Sequence, residues 1–404
     1  MAISFTMVGK LLMPKDTEKF SAYSKQTFSS GWAQETLNLT MLVDGSRFNL
    51  KSKNWVNPNK DFTMNYSENV GAGKSERKSI LFSKRDSVNL DNVPHFSKYV
   101  LDLDIASNRY ELENAINTLS RGGSLTDELA SKYEGWTLAQ FKEAHKKSLA
   151  LKKSFLYLGD FLDAVKSVIS SGKYSQSNFD VRGEYICEYN ESNNSFYKYY
   201  SPRSISLTNT EPTATANVIL TYDENSLIYD PVADKYTVNG FSMERDTRKG
   251  VEKNAVIPVP YTITLPKPTS SEDTKTIKTL DVLVKRFTVD DGLIYQYGVV
   301  VKLINGSEKV QLNYEDLSEE EQENIDLGLV TLEELRRAAG DVRGERIEEN
   351  RFFKILRGYA KGRQDTTYSS EDLLPKAIQT TTFDNADVEI EDEDDDLFDW
   401  KWIA

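Results

Sequence analysis

The stretch ETLNLTMLVDGSRFNLKSKNW, residues 35–55, indicates how the N-terminal region folds. Apolar and polar side chains alternate on both sides of the dipeptide Asp44-Gly45. Asp-Gly between two alternating runs is the strongest short signal for a β-hairpin, because these residues accept the positive φ angles of a tight turn. The returning strand carries three cations and a tryptophan, namely Arg47, Lys51, Lys53 and Trp55. We therefore predict a β-hairpin over this stretch.

Two further strands are predicted in the same region, at residues 78–85 and 98–105. Long strands that are joined by sharp turns within about 110 residues are typical of a small barrel. We therefore expect residues 1–108 to form an N-terminal β domain.

The apolar period changes twice further along the chain. Residues 109–175 show three- and four-residue spacing, most continuously over 137–172, and we predict a helical insert. Alternation returns over 176–310, which predicts a second β-rich domain. Residues 311–383 combine a helical segment with a block rich in cations and aromatic rings. The fold class that we expect is mainly β with helical insertions (α+β).

The net charge of −13 over 404 residues is distributed unevenly. Residues 384–404 hold ten acids and one lysine, and residues 311–350 hold thirteen acids and four arginines, so that each block carries −9. Residues 351–383 carry +3 and residues 1–310 carry +2. This asymmetry predicts that a basic surface on the body of the protein faces a competing acidic tail.

The low numbers of cysteine and histidine limit the kinds of site that the protein can contain. Cys187 is the only cysteine, so an intramolecular disulfide and a multi-cysteine zinc site are excluded, and a reducing, intracellular setting is favoured. His95 and His145 are the only histidines. No apolar run of about 18 residues predicts a membrane span, and the N-terminus does not have the pattern of a signal peptide.

No motif for catalysis emerges from the sequence. The run GAGKS at 71–75 resembles the end of a phosphate-binding loop, but Glu68 stands where that motif needs its first glycine. Asp102 and Asp104 would share one face of a strand, and without a third ligand nearby we expect an exposed strand face. We therefore predict no enzyme activity, no catalytic residue, no metal site and no cofactor.

Single-stranded nucleic acid is the ligand that the remaining features favour. Binding without sequence preference needs cations for phosphates and flat rings for base faces. On a strand, Tyr197 and Tyr199 would share one face, with Lys198 and Tyr200 on the other. Aromatic residues are also favoured in strands for packing alone. The predicted nucleic-acid-binding residues are Arg47, Lys51, Lys53, Trp55, Arg182, Tyr197, Lys198, Tyr199, Tyr200, Arg203, Arg351, Phe353, Lys354, Arg357, Tyr359, Lys361 and Arg363.

The C-terminal run EDEDDDLFDWKWIA, residues 391–404, resembles the acidic tails of single-stranded DNA-binding proteins of bacteria and bacteriophages. Residues 342–373 and the opening MVGKLLMPKDTEKF look like segments of such proteins from phages of Gram-positive bacteria. The resemblance implies OB-type barrels, a disordered tail, and work in replication, recombination or repair in the cytoplasm of an infected bacterial host.

By the same resemblance, the tail would recruit replication proteins such as a polymerase, a helicase or a primase. The acidic run would be Asp392, Asp394, Asp395 and Asp396, and the apolar anchor Phe398 or Trp400. Known tails end at or beside the aromatic residue, whereas here four more residues follow Trp400 up to Ala404.

Three other classes remain open. The chain would be a virion or assembly protein if its β domains pack against further copies. It would be a metal-dependent nucleic-acid enzyme if a carboxylate cluster assembles in the fold. It would be an acidic mimic if the tail inhibits a DNA-binding enzyme. Under the favoured class, we expect the tail to occupy the protein's own cationic groove until DNA displaces it.

Overall fold

A computed structural model describes residues 3–16, 21–190, 195–245, 255–307, 318–331 and 346–373. Strands make up 43% and helices 26% of the structure, which confirms the expectation of a mainly β fold with helical insertions. The strands are β1 Ile3–Leu12, β2 Tyr23–Thr27, β3 Ala33–Val43, β4 Ser46–Val56, β5 Thr63–Gly71, β6 Lys74–Leu81, β7 Tyr99–Asp102, β8 Lys152–Phe155, β9 Asn178–Asn190, β10 Ser195–Thr208, β11 Thr213–Tyr222, β12 Leu227–Asp230, β13 Lys235–Arg245, β14 Val256–Thr264, β15 Tyr295–Ser307, β16 Arg346–Ile355 and β17 Gln364–Asp365. The α-helices are α1 Ala106–Ser120, α2 Asp127–Lys132, α3 Leu138–Ala150, α4 Leu158–Ser170, α5 Thr274–Phe287, α6 Glu319–Asp326 and α7 Ser370–Leu373.

The hairpin predicted over residues 35–55 is confirmed as β3 and β4. The two strands pair antiparallel from Ala33 opposite Val56 to Val43 opposite Ser46. Asp44 and Gly45 form the two-residue turn with φ angles of 45° and 78°. The alternating apolar residues of both strands are buried, namely Leu37, Leu39, Met41, Phe48 and Leu50.

This hairpin supplies two of the five strands that close a barrel. The strand β1 pairs with β3, and β4 has a parallel neighbour in β10. The strand β10 forms a long hairpin with β9, which returns to pair with β1 and completes the ring. The helix α4 lies between the third and fourth barrel strands along the chain, and its Phe161 and Val165 are buried in the same core.

Gly183 allows the fourth and fifth barrel strands to approach closely. A Cβ at this position would overlap the carbonyl oxygen of Ser201 and lie 2.9 Å from both Phe5 Cε1 and Pro202 Cα. We expect Gly183→Ala to lower the free energy of unfolding by about 1–3 kcal/mol, because the neighbours are backbone or packed core.

Urea denaturation checks this prediction, with Gly358→Ala as the control, because a Cβ at Gly358 meets nothing within 4 Å. The control should shift stability by less than about 0.5 kcal/mol. Equal stability of the two variants would contradict the tight approach at Gly183.

A second ring of five strands follows the first. The strand β11 pairs with β13 at Thr221 and Phe241, and β14 runs parallel to β16 at Thr264 and Arg351. Antiparallel pairing of β13 with β14, of β16 with β15 and of β15 with β11 completes the ring. The strands β1 and β11 pair side by side and join the two rings, and one continuous apolar core runs through both.

The two rings repeat the same chain order. In each, the third strand along the chain lies parallel to the fifth, which also pairs with the fourth, and the fourth returns to the first. A helix, α4 or α5, stands between the third and fourth strands of its ring. A short extra strand, β2 or β12, precedes the second strand of its ring and pairs with it.

Two local predictions are wrong. The single helical run expected over 137–172 is interrupted, because β8 separates α3 from α4 and pairs with β7. Leu149, an apolar residue near the end of α3, is 48% exposed. The strand expected over 78–85 ends at Leu81, where a 3₁₀ turn from Phe82 to Ser87 begins. It belongs to a separate two-stranded sheet with β5.

Asp102 was predicted to lie on an exposed strand face, and this is also wrong. Its side chain is buried and accepts two hydrogen bonds from the Arg109 guanidinium, at 2.8 and 2.7 Å. The hydroxyl of Ser148 donates to Asp104, so the two aspartates are bound to α1 and α3. The hydrogen bonds that Arg109 donates to Asp102 raise the pKa of Arg109. These carboxylates hold the helices against the barrel.

None of the helices in the ranges given above has the length and apolar content needed to cross a bilayer. The acidic tail 384–404, with its predicted partner-binding residues, lies outside the described residues.

Candidate nucleic-acid interface

The outward-facing side of β4 carries the cations predicted from the hairpin. Alternate residues point into the barrel, and Phe48, Leu50 and Ser52 are all at most 2% exposed. The residues between them face outward, since side chains alternate along a strand. We define the β4/β10 face as Arg47, Lys51, Lys53 and Trp55 of β4 together with Tyr197 and Tyr199 of the neighbouring strand β10.

The parallel contact of β4 with β10 brings lysines and tyrosines together. Lys51 Nζ lies 4.6 Å from the ring centroid of Tyr197 and donates a hydrogen bond of 3.2 Å to its hydroxyl oxygen. Lys53 Nζ lies 5.2 Å from the ring centroid of Tyr199. The two rings are 5.8 Å apart at an interplanar angle of 49°. Ammonium groups therefore stand directly beside aromatic rings.

Only some aromatic rings of this face are exposed enough to contact a ligand, and the others pack behind them. Tyr197 is 48% exposed and Trp55 is 38% exposed, so both offer ring surface to solvent. Tyr199 is only 7% exposed. Phe28, which precedes β3, packs on Trp55 with a centroid distance of 5.3 Å and an interplanar angle of 31°. Phe28 was not among the predicted residues, because it lies in a turn, outside any alternating run.

Tyr200 and Arg203 are not part of the surface, although both were predicted to bind nucleic acid. The Tyr200 ring packs in the barrel at 5.1 Å from Phe5 and 4.9 Å from Tyr185. The Arg203 side chain is 13% exposed and ion-paired with Glu184 at 2.8 Å. These two side chains serve the packing of the barrel.

The other two predicted residues of β9 and β10 lie away from the β4/β10 face. Arg182 is exposed and forms an ion pair of 2.7 Å with Asp180. Lys198 points to the opposite side of β10, where its Nζ lies 3.4 Å from the carbonyl oxygen of Pro260 on β14.

The basic-aromatic block 351–363 also contains both exposed side chains and packed ones. Arg351, Phe353 and Lys354 are exposed on β16, and Arg357 and Lys361 are exposed beyond it. Tyr359 and Arg363 are packed instead. The Tyr359 ring covers Gly298, and Arg363 stacks 3.9 Å above the Tyr295 ring while its guanidinium donates to the carbonyl oxygens of Arg286 and Thr288.

Nearby cations also affect the protonation of His95. Burial lowers the pKa of His95, and the nearby charges of Lys98, Lys152, Arg182 and Arg203 lower it further. His95 therefore favours its neutral form there. Within the described ranges, no three His, Cys, Asp or Glu side chains come close enough together to hold a metal ion.

The β4/β10 face thus combines a rigid strand scaffold, two exposed rings and three cations. No protein-family model and no curated protein sequence matches this chain. The geometry of its side chains is therefore the basis on which a function can be proposed.

Proposed function

We propose that this chain is a sequence-independent single-stranded DNA-binding protein. The observation that carries the proposal is the placement of Lys51 and Lys53 beside the exposed ring of Tyr197, on a barrel face that also carries the exposed ring of Trp55. An unpaired strand presents both of the groups that such a face can bind, namely phosphates and base faces.

The chemistry of the face favours a single strand over a duplex. Stacking of a base on an aromatic ring is worth about 1–3 kcal/mol, and any base can stack because each has a π-face. In a duplex the base faces are covered by their neighbours, so only the phosphates would remain for Arg47, Lys51 and Lys53. Preference for a single strand therefore comes from the rings, and affinity at low salt comes from the cations.

We further propose that the barrel is an OB fold. An OB fold is a five-stranded Greek-key barrel that binds oligonucleotides on its second and third strands and on the loops after its first and fourth strands. Here β3 and β4 are the second and third barrel strands, and β4 supplies four residues of the face. Phe28 comes from the segment between the first two barrel strands and packs on Trp55.

The biological setting rests on the tail. Its resemblance to the tails of phage single-stranded DNA-binding proteins supports a role in phage replication, recombination or repair in the host cytoplasm. In this proposal the acidic residues hold the tail on the protein's own cations until DNA displaces it, and the aromatic tip then binds a replication protein.

Quenching of tryptophan fluorescence by oligothymidine tests the proposal. The protein should bind oligothymidine well below the concentration at which it binds a duplex of equal length. The log–log slope of affinity against salt should be about −0.7 for each phosphate contacted. Equal affinity for both oligonucleotides would refute stacking on the face, and no binding to either would refute the function.

Removal of the acidic tail is expected to tighten DNA binding. The segment 384–404 carries −9 and would compete with DNA for the cations of the β4/β10 face. We expect the deletion to lower the Kd for oligothymidine by about tenfold at about 50 mM salt, with a smaller effect at higher salt because screening weakens the competition.

A full-length variant with the tail acids changed to Asn and Gln is the control for chain length. It should bind DNA like the deletion. If both variants bind DNA no more tightly than the unaltered protein, the tail does not compete for the face.

A further inference from the structure

We propose that the second ring carries its own strand-binding face, and that one DNA strand runs across both rings. The second face consists of Lys235 on β13, Lys302 on β15, and Arg351, Phe353 and Lys354 on β16. This inference rests on the proposed function, and it adds a second binding site together with the path of the strand.

The repeated chain order gives the two faces one equivalent strand, the fifth strand of each ring. In the first ring, the face lies on the third strand β4 and on its parallel partner β10. In the second ring, β14 and β16 are the equivalent pair, and they meet in parallel at Thr264 and Arg351. In both rings of strands, the outward side of the fifth strand therefore carries aromatic side chains or cations.

The side chains of β16 repeat the chemistry of the first face. Phe353 is 59% exposed, and Lys354 Nζ lies 5.6 Å from its ring centroid. Arg351 is 49% exposed. Lys302 is also exposed, and it faces Arg351 directly in the register of β15 with β16. An accessible ring thus has Lys354 beside it and two further exposed cations, Arg351 and Lys302, on the same pair of strands, which are the groups that a base and its flanking phosphates require.

One carboxylate reduces the positive charge of this face without cancelling it. Glu349 accepts a hydrogen bond of 2.6 Å from Arg351 Nε and lies 3.9 Å from Lys235 Nζ. Burial opposes ionisation of Glu349, but hydrogen bonds from Thr264 and Arg351 and the charge of Lys235 hold its pKa below the usual value. Four cations and one acid leave the group with a charge of +3.

Lys198 links the strand that carries the tyrosines of the first face to the strand beside the second face. It lies on β10 between Tyr197 and Tyr199 in the chain and points to the opposite side of that strand. Its Nζ reaches the carbonyl oxygen of Pro260 on β14, the strand beside β16. The two faces therefore lie on rings that are in direct contact, and a DNA strand that passes around β10 and β14 would reach both.

Two linked sites predict a specific dependence on oligonucleotide length. A single OB fold covers about 4–16 nucleotides. An oligothymidine of about 8 nucleotides would fill one face, so two such molecules should bind to each chain. One of about 30 nucleotides would span both faces and bind once, with higher affinity, because the second contact is intramolecular.

Titrations with both lengths test the inference on the full-length chain, using a 5′ fluorescent label and anisotropy as the readout. The variant Phe353→Ala/Lys354→Ala removes the second face, and Lys51→Ala/Tyr197→Ala removes the first. Tyr110→Ala/Lys142→Ala is the matched control, because it removes an exposed ring and an exposed cation from the helices α1 and α3.

We expect the unaltered protein and the control to bind two short oligonucleotides, and each face variant to bind one. Loss of Phe353 and Lys354 should also raise the Kd for the long oligonucleotide by about 5- to 150-fold, the value of one stacked base.

The inference would be overturned if this variant still bound two short oligonucleotides, or bound the long one as tightly as the control. If, in that case, the variant of the first face bound oligothymidine more weakly than the control did, the proposed function would still stand. If the unaltered protein bound neither length, the proposed function itself would fail.

Discussion

Replacing Lys51, Lys53 and Tyr197 together by alanine is expected to weaken binding to a short oligothymidine by about 10²-fold or more at low salt. This is the largest effect on function that we expect from a substitution that leaves the barrel core intact. The lysine side chains are half-buried against the tyrosine rings and Tyr197 is 48% exposed, so none of the three fills the core.

The size of this effect follows from two separable terms. Loss of the Tyr197 ring removes one stacking platform, worth about 1–3 kcal/mol. Loss of two ammonium groups removes up to two phosphate contacts, which should make the salt slope shallower by about 1.4. The single variant Tyr197→Ala should therefore lose affinity without a change of slope, and the double lysine variant should show the change of slope.

The control for these measurements removes the same residue types from another surface. Tyr110 is 65% exposed, and Lys142 and Lys146 are exposed on α3. Their replacement by alanine should change the affinity for DNA by less than about twofold beyond the general effect of net charge. A control variant as weak as the face variant would mean that charge and rings anywhere on the surface suffice, and the β4/β10 face would lose its role.

Arg109→Met is expected to have the largest effect on stability, a loss of about 3–5 kcal/mol in the free energy of unfolding. The Arg109 and Asp102 side chains are 13% and 8% exposed, and Arg109 Nε also donates to the Ser148 hydroxyl at 3.0 Å. Methionine would leave the Asp102 carboxylate buried without its counter-charge. Such a charge costs far more than the lost hydrogen bonds alone.

Two further variants separate charge burial from packing in the same denaturation experiment. Arg109→Met combined with Asp102→Asn should recover part of the loss, since no uncompensated charge remains. Lys147→Met breaks an exposed pair with Glu143, in which the side chains are 76% and 66% exposed, and should cost less than about 0.5 kcal/mol. If Arg109→Met is as mild as Lys147→Met, the buried pair does not anchor the helices.

The hairpin at residues 35–55 was predictable because its signals are local. Each residue of a strand faces the side opposite to its neighbour, so the sequence itself separates the core side of β4 from the outer side. Arg47, Lys51, Lys53 and Trp55 were predicted on the returning strand, and they share its outer side for that reason. The same rule separated Tyr200 from Tyr197 and Tyr199 on β10, and Tyr200 packs in the barrel beside Phe5. Alternation shows which residues share a face, but not which face the core covers.

Two β-rich regions were predicted, but the chain order that the two rings share was not visible in the sequence. Equivalent strands such as β4 and β14 share only inward apolar residues, and many different sequences satisfy that requirement. Arg203 and Arg363 gave no sign of being packed either. Their partners, Glu184 for the first and the carbonyl oxygen of Thr288 for the second, come from other strands and loops.

The mainly β class, the position of the first hairpin, the helices between the β regions and the negative charge at the C-terminus all follow from the order of the residues alone. These features depend on periodicity, turn residues and composition, which act between residues close in the chain. The folded chain was needed to show that Lys51 lies beside Tyr197, 146 residues away, that Asp102 is buried, and that two rings share one chain order. Such contacts arise from the pairing of distant strands, whose free energy depends on the whole core and not on any one segment.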